Sequence, residues 1–219
     1  MKKSVLLFCL VFCANAVFCQ QTALTYDSAF QDLYKQVALH PIRPNRQGRL
    51  YDPVIKKWDQ NITIFIEGGS QNSRSYIEQK LKKVISEISP ALNNKIKISF
   101  VSDKSVANYL IKLDTIGNNT SWYLRWDPTY IIYNCVVTVD TKTVFNLDEQ
   151  AGKVSSDFLK SLGDFSVSQL DKPVSSNMVL WRKDITETDL RILGLQYSDD
   201  IKPGMKEKDI DKYFFSHSP

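Results

Sequence analysis

Histidine is almost absent from this chain of 219 residues, which contains only His40 and His217. Zinc sites in proteins draw their ligands from imidazole, thiolate and carboxylate groups, and catalytic zinc sites depend mostly on imidazole. His40 precedes a proline, where we expect it to end a helix, and His217 lies two residues from the C-terminus, where we expect it to be solvated. The composition therefore excludes a conventional zinc site, and we predict no metal and no cofactor.

Cysteine is scarce beyond the N-terminus, because three of the four cysteines lie within the first 19 residues. A lone remaining cysteine, Cys135, cannot form an internal disulfide. The fold must therefore depend on its apolar core. Cys135 lies on the apolar side of an alternating segment, so we predict a buried and chemically inert thiol.

The N-terminal 19 residues have the layout of a secretory signal peptide. Two lysines precede an apolar run, and small residues follow it. We predict that residues 1–19 are removed, with cleavage after Ala16 or Cys19, and that the chain is exported to the periplasm or the extracellular space. A lipid anchor on Cys19 is the alternative, although the bulky Phe18 stands where such signals carry a small residue.

Neither a second long apolar run nor an excess of one charge follows the signal. The formal net charge is +4, and loss of Lys2 and Lys3 with the signal leaves +2. A nearly neutral chain gives no electrostatic reason to bind nucleic acid. No later segment reaches the length of a membrane span. We predict no transmembrane segment and no nucleic-acid partner.

The apolar pattern alternates between helical and strand periods. Residues 27–39 read as an amphipathic helix, and a capping box at Ser75 and Glu78 predicts the start of a second helix. Thr186 and Asp189 predict another helix start. Strand patterns cover NITIFIE, IKISFV, ANYLIKL, SWYLRW and IIYNCVVTVD. These elements predict a single α+β domain, with a mixed, mostly antiparallel sheet packed by two main helices and an irregular or helical C-terminal segment. We place an N-terminal helix and connecting segment in residues 20–56 and this domain in residues 57–219.

The helix predicted over residues 147–163 ends in SDFLKSLG, which aligns with the zinc-peptidase pattern H-E-x-x-H-x-x-G. Gly163 matches the glycine and Asp157 stands at the glutamate position, but Ser156 and Lys160 replace the two histidines. A helical wheel places Ser156, Lys160 and Gly163 on one face, directed away from the core. The opposite, inward face carries an apolar stripe of Leu147, Val154, Phe158 and Leu162. Gly163 is also predicted to cap the helix at its C-terminus.

Three stretches resemble an uncharacterised bacterial domain family related to the metzincin-type, or zincin-like, zinc metallopeptidases. They are KKWDQNITIFIEG, SDFLKSLG and LGLQYSDDIKPGM, and they occur in this order from Lys57 towards the C-terminus. The resemblance implies a zincin-like domain, and the replaced histidines imply a degenerate member that lacks the zinc ligands.

These observations leave three functions open. The first is a pseudo-peptidase, a domain without metal-dependent activity that binds an unknown protein or glycan in the cell envelope. The second is a hydrolase that uses Ser156 and Lys160 as a catalytic dyad. The third is a glycan-binding protein in which Trp122, Tyr123 and Trp126 stack on sugar rings, although the same aromatic residues fit a buried core.

An acidic C-terminal region also suggests calcium, which prefers oxygen ligands. No calcium-loop pattern is present, and lysines are interleaved with the acids. We therefore predict a solvated, charge-balanced region for the four acidic residues concerned, Asp199, Asp200, Asp209 and Asp211.

Overall fold

The computed structural model describes residues 26–39, 53–114, 121–144, 146–165 and 185–217. Within these ranges the helices are α1 (Ser28–Ala38), α2 (Gln71–Ile88), α3 (Leu147–Ser161), α4 (Glu187–Gln196) and α5 (Glu207–His217). The strands are β1 (Lys57–Trp58), β2 (Ile62–Gly68), β3 (Ile98–Phe100), β4 (Tyr109–Asp114), β5 (Ser121–Trp126) and β6 (Ile131–Asp140). The predicted signal peptide and His40 lie outside the described residues.

All six strands belong to one sheet, in which β3, β2, β4 and β6 are successive parallel neighbours. β5 lies antiparallel on the other edge of β6, and β1 runs parallel to the start of β6. The predicted α+β architecture is confirmed, but the prediction of a mostly antiparallel sheet is wrong. The chain returns from β2 to β3 through α2, and such crossovers produce parallel neighbours. Among the described strands, only β5 and β6 are joined by a tight turn, at Asp127 and Pro128.

Helices α2 and α3 pack against each other and against the sheet, α2 on β2 and α3 on β6. The sheet buries alternate residues of its strands beneath them, as the strand period requires. On β4 these residues are Tyr109, Ile111 and Leu113. The Tyr109 ring meets that of Phe158 from α3 edge-on, with 5.5 Å between the ring centroids. This contact ties α3 to the centre of the sheet.

Helix α2 begins one turn earlier than the capping-box prediction placed it. Ser70 is the N-cap, and its side-chain oxygen accepts a hydrogen bond from the Ser73 amide at 3.0 Å. Glu78 instead pairs with Lys82 at 2.6 Å. Gly68 and Gly69 both have positive φ angles, 77° and 61°, so the chain can turn directly from β2 into the helix.

The C-terminal segment packs beside β1. The predicted capping box of Thr186 and Asp189 is confirmed at the start of α4. After α4, the Gly204 amide donates to the Ile55 carbonyl at 2.8 Å, and the Ile55 amide donates to the Met205 carbonyl at 2.9 Å. None of the helices in the described ranges has the length and apolar character required to cross a membrane.

Candidate functional site

Helix α3, which carries SDFLKSLG, is anchored at its first turn. The Asn146 side chain accepts a hydrogen bond from the Asp148 amide at 2.8 Å. The Asp148 carboxylate accepts from the hydroxyl of Tyr76 and lies 3.4 Å from Lys80 Nζ, so it joins α3 to α2. The predicted inward stripe is confirmed at Val154, Phe158 and Leu162, which are buried together with Ala151. Leu147 is only partly buried.

The three stretches that carry the family resemblance contact one another. Trp58 Nε1 donates to the Ser161 carbonyl at 2.9 Å. The Tyr197 hydroxyl donates to the Leu162 carbonyl at 2.6 Å. Lys57 Nζ donates to the Gln196 carbonyl at 3.1 Å. Side chains of the first and third stretches thus bind free carbonyls at the end of α3, where a helix has no intrahelical donors to supply.

Asp157, at the glutamate position of the zinc-peptidase pattern, is fully buried. Its Oδ2 accepts a hydrogen bond from Lys153 Nζ, one helical turn earlier. Its Oδ1 accepts no hydrogen bond within the described residues but lies 3.5 Å from Lys160 Nζ. Two ammonium groups therefore compensate one buried carboxylate, as a buried charge requires.

A group of small polar side chains lies between α3 and the sheet. Ser161 Oγ donates to the Phe158 carbonyl at 2.6 Å and lies 3.3 Å from the Tyr109 hydroxyl. Cys135 is buried, as its strand pattern predicts. Burial raises the pKa of the Cys135 thiol to about 12. The thiol is therefore uncharged at neutral pH and is a poor nucleophile.

The outward face predicted for Ser156, Lys160 and Gly163 is only partly present. Ser156 is half-buried, and the Lys160 side chain is 18% exposed. Gly163 is buried, so its predicted exposure is wrong. The helix ends at Ser161, and the helical wheel no longer applies beyond that point. A β-carbon on Gly163 would lie 2.5 Å from the Phe165 ring, so this position needs glycine for space.

The helix cap predicted at Gly163 is formed one residue later. Asp164 adopts the left-handed conformation with φ 55°, and the Phe165 amide donates to the Lys160 carbonyl at 2.8 Å, which is a Schellman arrangement. The Asp164 carboxylate lies 2.7 Å from Lys56 Nζ, whose side chain is 5% exposed. Lys56 Nζ also lies 4.7 Å from the centre of the Trp126 ring. Sequence reasoning missed this pair, because no local pattern links residues 108 positions apart.

Lys57 is a second buried lysine that sequence reasoning missed. Its Nζ donates to the carbonyls of Gln196 and Ile201, and it lies 5.8 Å from the centre of the Tyr197 ring. Burial, together with a smaller effect of the nearby ammonium groups of Lys95 and Lys202, lowers the pKa of Lys57 to about 8. Its role is to bind the C-terminal segment through backbone carbonyls.

The two aromatic residues of β5 whose side chains the structure describes, Tyr123 and Trp126, lie in different environments. Tyr123 is 47% exposed, and the Arg125 guanidinium lies 5.6 Å from its ring centre. Trp126 is partly buried and packs against the core, and the Lys56 ammonium group lies over its ring. The side chain of Trp122 lies outside the described part of the chain. Among the described side chains of the proposed stacking platform, Tyr123 is the exposed aromatic residue, and Arg125 lies beside it.

Three of the four acidic residues considered for calcium have protein partners, and the fourth, Asp200, is exposed. Asp199 accepts from Lys95, Asp211 lies 2.9 Å from Lys35 Nζ, and Asp209 accepts from the Lys206 amide at 3.0 Å. Over the ranges that the structure describes, no group of three or more His, Cys, Asp or Glu side chains is arranged to hold a metal ion.

Comparison of the chain with protein-family models, with curated proteins and with solved structures gave no match. Function must therefore be inferred from the residues and their geometry.

Proposed function

We propose that this chain is an exported, zincin-like pseudo-peptidase that acts as a binding or structural module of the cell envelope. The order of a strand, a helix, further strands and a second helix supports the zincin-like assignment. Contacts among the three resembling stretches support it further, because they make one structural unit of the region that carries the resemblance.

The observation that carries this proposal is the burial of Asp157. A general base must lie within hydrogen-bond reach of the water that it activates. Asp157 is completely buried and is held by Lys153 and Lys160. In place of a base that faces a cleft, the helix has an internal ion pair that stabilises its own position.

The rival dyad mechanism requires Lys160 Nζ to take a proton from the Ser156 hydroxyl. That nitrogen lies 3.5 Å from Asp157 Oδ1, and a neighbouring carboxylate favours a charged amine. A general base must be neutral, so this contact disfavours the dyad. The exposed pair of Tyr123 and Arg125 favours glycan as the second candidate ligand, since aromatic and cationic groups both suit sugar hydroxyls and rings.

Two measurements on the exported chain test the proposal. We expect no hydrolysis of casein or of a quenched fluorescent peptide library, and no difference between the wild type and the Ser156→Ala and Lys160→Ala variants. Hydrolysis that both substitutions abolish would establish the dyad enzyme instead. N-terminal sequencing should find a chain that begins after Ala16 or Cys19, and an intact Met1 would contradict export.

A further inference from the structure

Strand β3 covers only the first half of the β2 edge. The register pairs Ile62 with Ile98 and Ile64 with Phe100, and the last bond between the two segments runs from the Val101 amide to the Ile64 carbonyl at 2.9 Å. β2 itself continues to Gly68, paired with β4 on its other side. None of the described strands therefore borders the second half of β2 on this edge.

The strand alternation places the peptide groups of Ile66 on this open edge. The Asn108 amide donates to the Thr63 carbonyl at 3.1 Å, so the odd-numbered residues of β2 direct their peptide groups towards β4. Ile62 and Ile64 bond towards β3, and Ile66 continues their series. Neither the amide nor the carbonyl of Ile66 has a hydrogen-bond partner among the described residues. A strand edge of this kind is a template for another extended chain.

A cleft of about 590 Å³ lies along this edge, bounded by the end of β2, the first turns of α2 and the residues after β3. Its apolar lining includes Ile64, Ile66 and Phe100, and its polar lining includes Arg74 and Glu78. Ligand sites commonly have volumes of about 300–1,000 Å³, so the cleft has room for several residues of an extended peptide.

The charged groups of the cleft already have partners. Glu67 lies 2.5 Å from Lys104 Nζ, and Glu78 lies 2.6 Å from Lys82 Nζ. Arg74 donates to the carbonyls of Gly68 and Gly69, both at 2.9 Å. A small charged ligand would have to break these contacts. The groups that remain open are the neutral peptide groups of Ile66, and they match the backbone of a peptide.

We propose that this cleft binds an extended peptide segment of a partner protein, which continues the position of β3 along β2. The segment would exchange hydrogen bonds with the amide and carbonyl of Ile66 and would place one apolar side chain against Ile66 and Phe100, which are both partly exposed. Backbone bonds of this kind provide affinity, and the pocket for the side chain provides specificity. The inference goes beyond the proposed function, because it rests on the cleft alone and not on α3.

The test is selection of phage-displayed random dodecapeptides on the immobilised exported chain, followed by binding measurements with synthetic copies. Ser75→Trp, on the α2 wall of the cleft, should weaken binding at least about tenfold by filling the space. Ser86→Trp, exposed on α2 outside the cleft, is the matched control and should change binding less than about twofold. Ile66→Pro removes the open donor and should also weaken binding about tenfold, whereas Ile66→Val should not.

Hydrogen exchange gives a readout that does not depend on a substitution. The bound peptide should slow exchange of the Ile66 amide, for which the described part of the chain supplies no partner, relative to the amides of Phe65 and Glu67. Failure to select any peptide, or equal binding by the Ser75→Trp and Ser86→Trp variants, would overturn the inference. Cleavage of a bound peptide would instead overturn the proposed function and leave occupancy of the cleft intact.

Discussion

The Tyr34 hydroxyl donates a hydrogen bond to Gln196 Oε1 at 2.6 Å, and both side chains are completely buried. Gln196 Nε2 donates in turn to the Lys56 carbonyl at 2.8 Å. One glutamine thus joins α1, the end of α4 and the segment before β1. Because every polar atom of its side chain is engaged in a buried site, the loss of one partner should be costly.

Tyr34→Phe should lower the free energy of unfolding by about 1–3 kcal/mol, because it leaves Gln196 Oε1 buried without a donor. Urea unfolding at pH 7 measures the change. Tyr123→Phe is the matched control: it removes a hydroxyl from a tyrosine that is 47% exposed, and it should change stability by less than about 0.5 kcal/mol. If Tyr34→Phe and Tyr123→Phe changed the free energy of unfolding equally, Gln196 would be solvated in place of buried.

Either of the two lysines beside Asp157 should be able to compensate its charge when the other is removed. Lys153→Met or Lys160→Met alone leaves one ammonium group at the carboxylate, so we expect each to cost about 1 kcal/mol. The double variant leaves a buried charge without compensation and should cost about 3–5 kcal/mol. Adding Asp157→Asn to the double variant should restore part of the lost free energy of unfolding. Urea unfolding measures every variant of the series.

The control for this series is the pair Lys82→Met and Lys83→Met on α2, whose side chains are 61% and 73% exposed. These changes should be nearly additive and small. A double Lys153/Lys160 variant no less stable than either single variant would mean that Asp157 is open to water, which would contradict the proposed pseudo-peptidase.

Lys57 should give the protein a specific dependence on pH. Its pKa is about 8 in the folded state against 10.5 ordinarily, so the unfolded chain binds more protons between these values. The stability of the wild type relative to Lys57→Met should therefore rise from about pH 8 towards pH 10, with a slope of at most about 1.4 kcal/mol per pH unit, and should be flat below pH 8. Urea unfolding at unit pH steps measures this, with Lys83→Met, whose side chain is 73% exposed, as the control. A difference that falls as pH rises would refute the assignment.

Metal removal should leave the protein unchanged. A bound zinc at a thousandfold excess over its Kd would add about 4 kcal/mol, equivalent to on the order of 10 °C in Tm for a domain of this size. We expect the same melting curve with and without a strong chelator, and no stoichiometric zinc by elemental analysis. A Tm that drops by several degrees in chelator and recovers with zinc would show that other ligands converge on an ion.

Local patterns predicted most of the elements but not their partners. The spacing of Phe30, Tyr34 and Val37 indicated α1, and the alternation of Ile62 and Ile64 indicated β2, because burial of one face imposes these periods. The direction of a neighbouring strand depends on the path of the chain between the strands. The apolar alternation of a strand is the same in parallel and antiparallel pairs, so it does not indicate the direction of the neighbouring strand. The sheet was therefore predicted with the wrong strand orientation.

The sequence motif located the candidate site, but it did not predict the burial of Asp157 or its contacts. The wheel located the Val154 and Phe158 stripe, yet Asp157 borders that stripe and is drawn inward by Lys153 and Lys160. An acidic residue at the edge of an apolar stripe is predicted to be exposed unless nearby cationic residues are considered. The spacing of Lys153 and Asp157, four residues apart, was the available signal for this pair.

The hydrogen bonds of Ile55 with Gly204 and Met205 have a consequence for the order of folding. They join residues about 150 positions apart, and they cannot form until the chain as far as Met205 has left the ribosome. Contacts so distant in sequence slow folding, because a large loop must close before any energy is gained. A chain that cannot complete its β1 region during synthesis stays unfolded for longer, and this would suit the export proposed above, because a secretory translocation channel accepts unfolded chains.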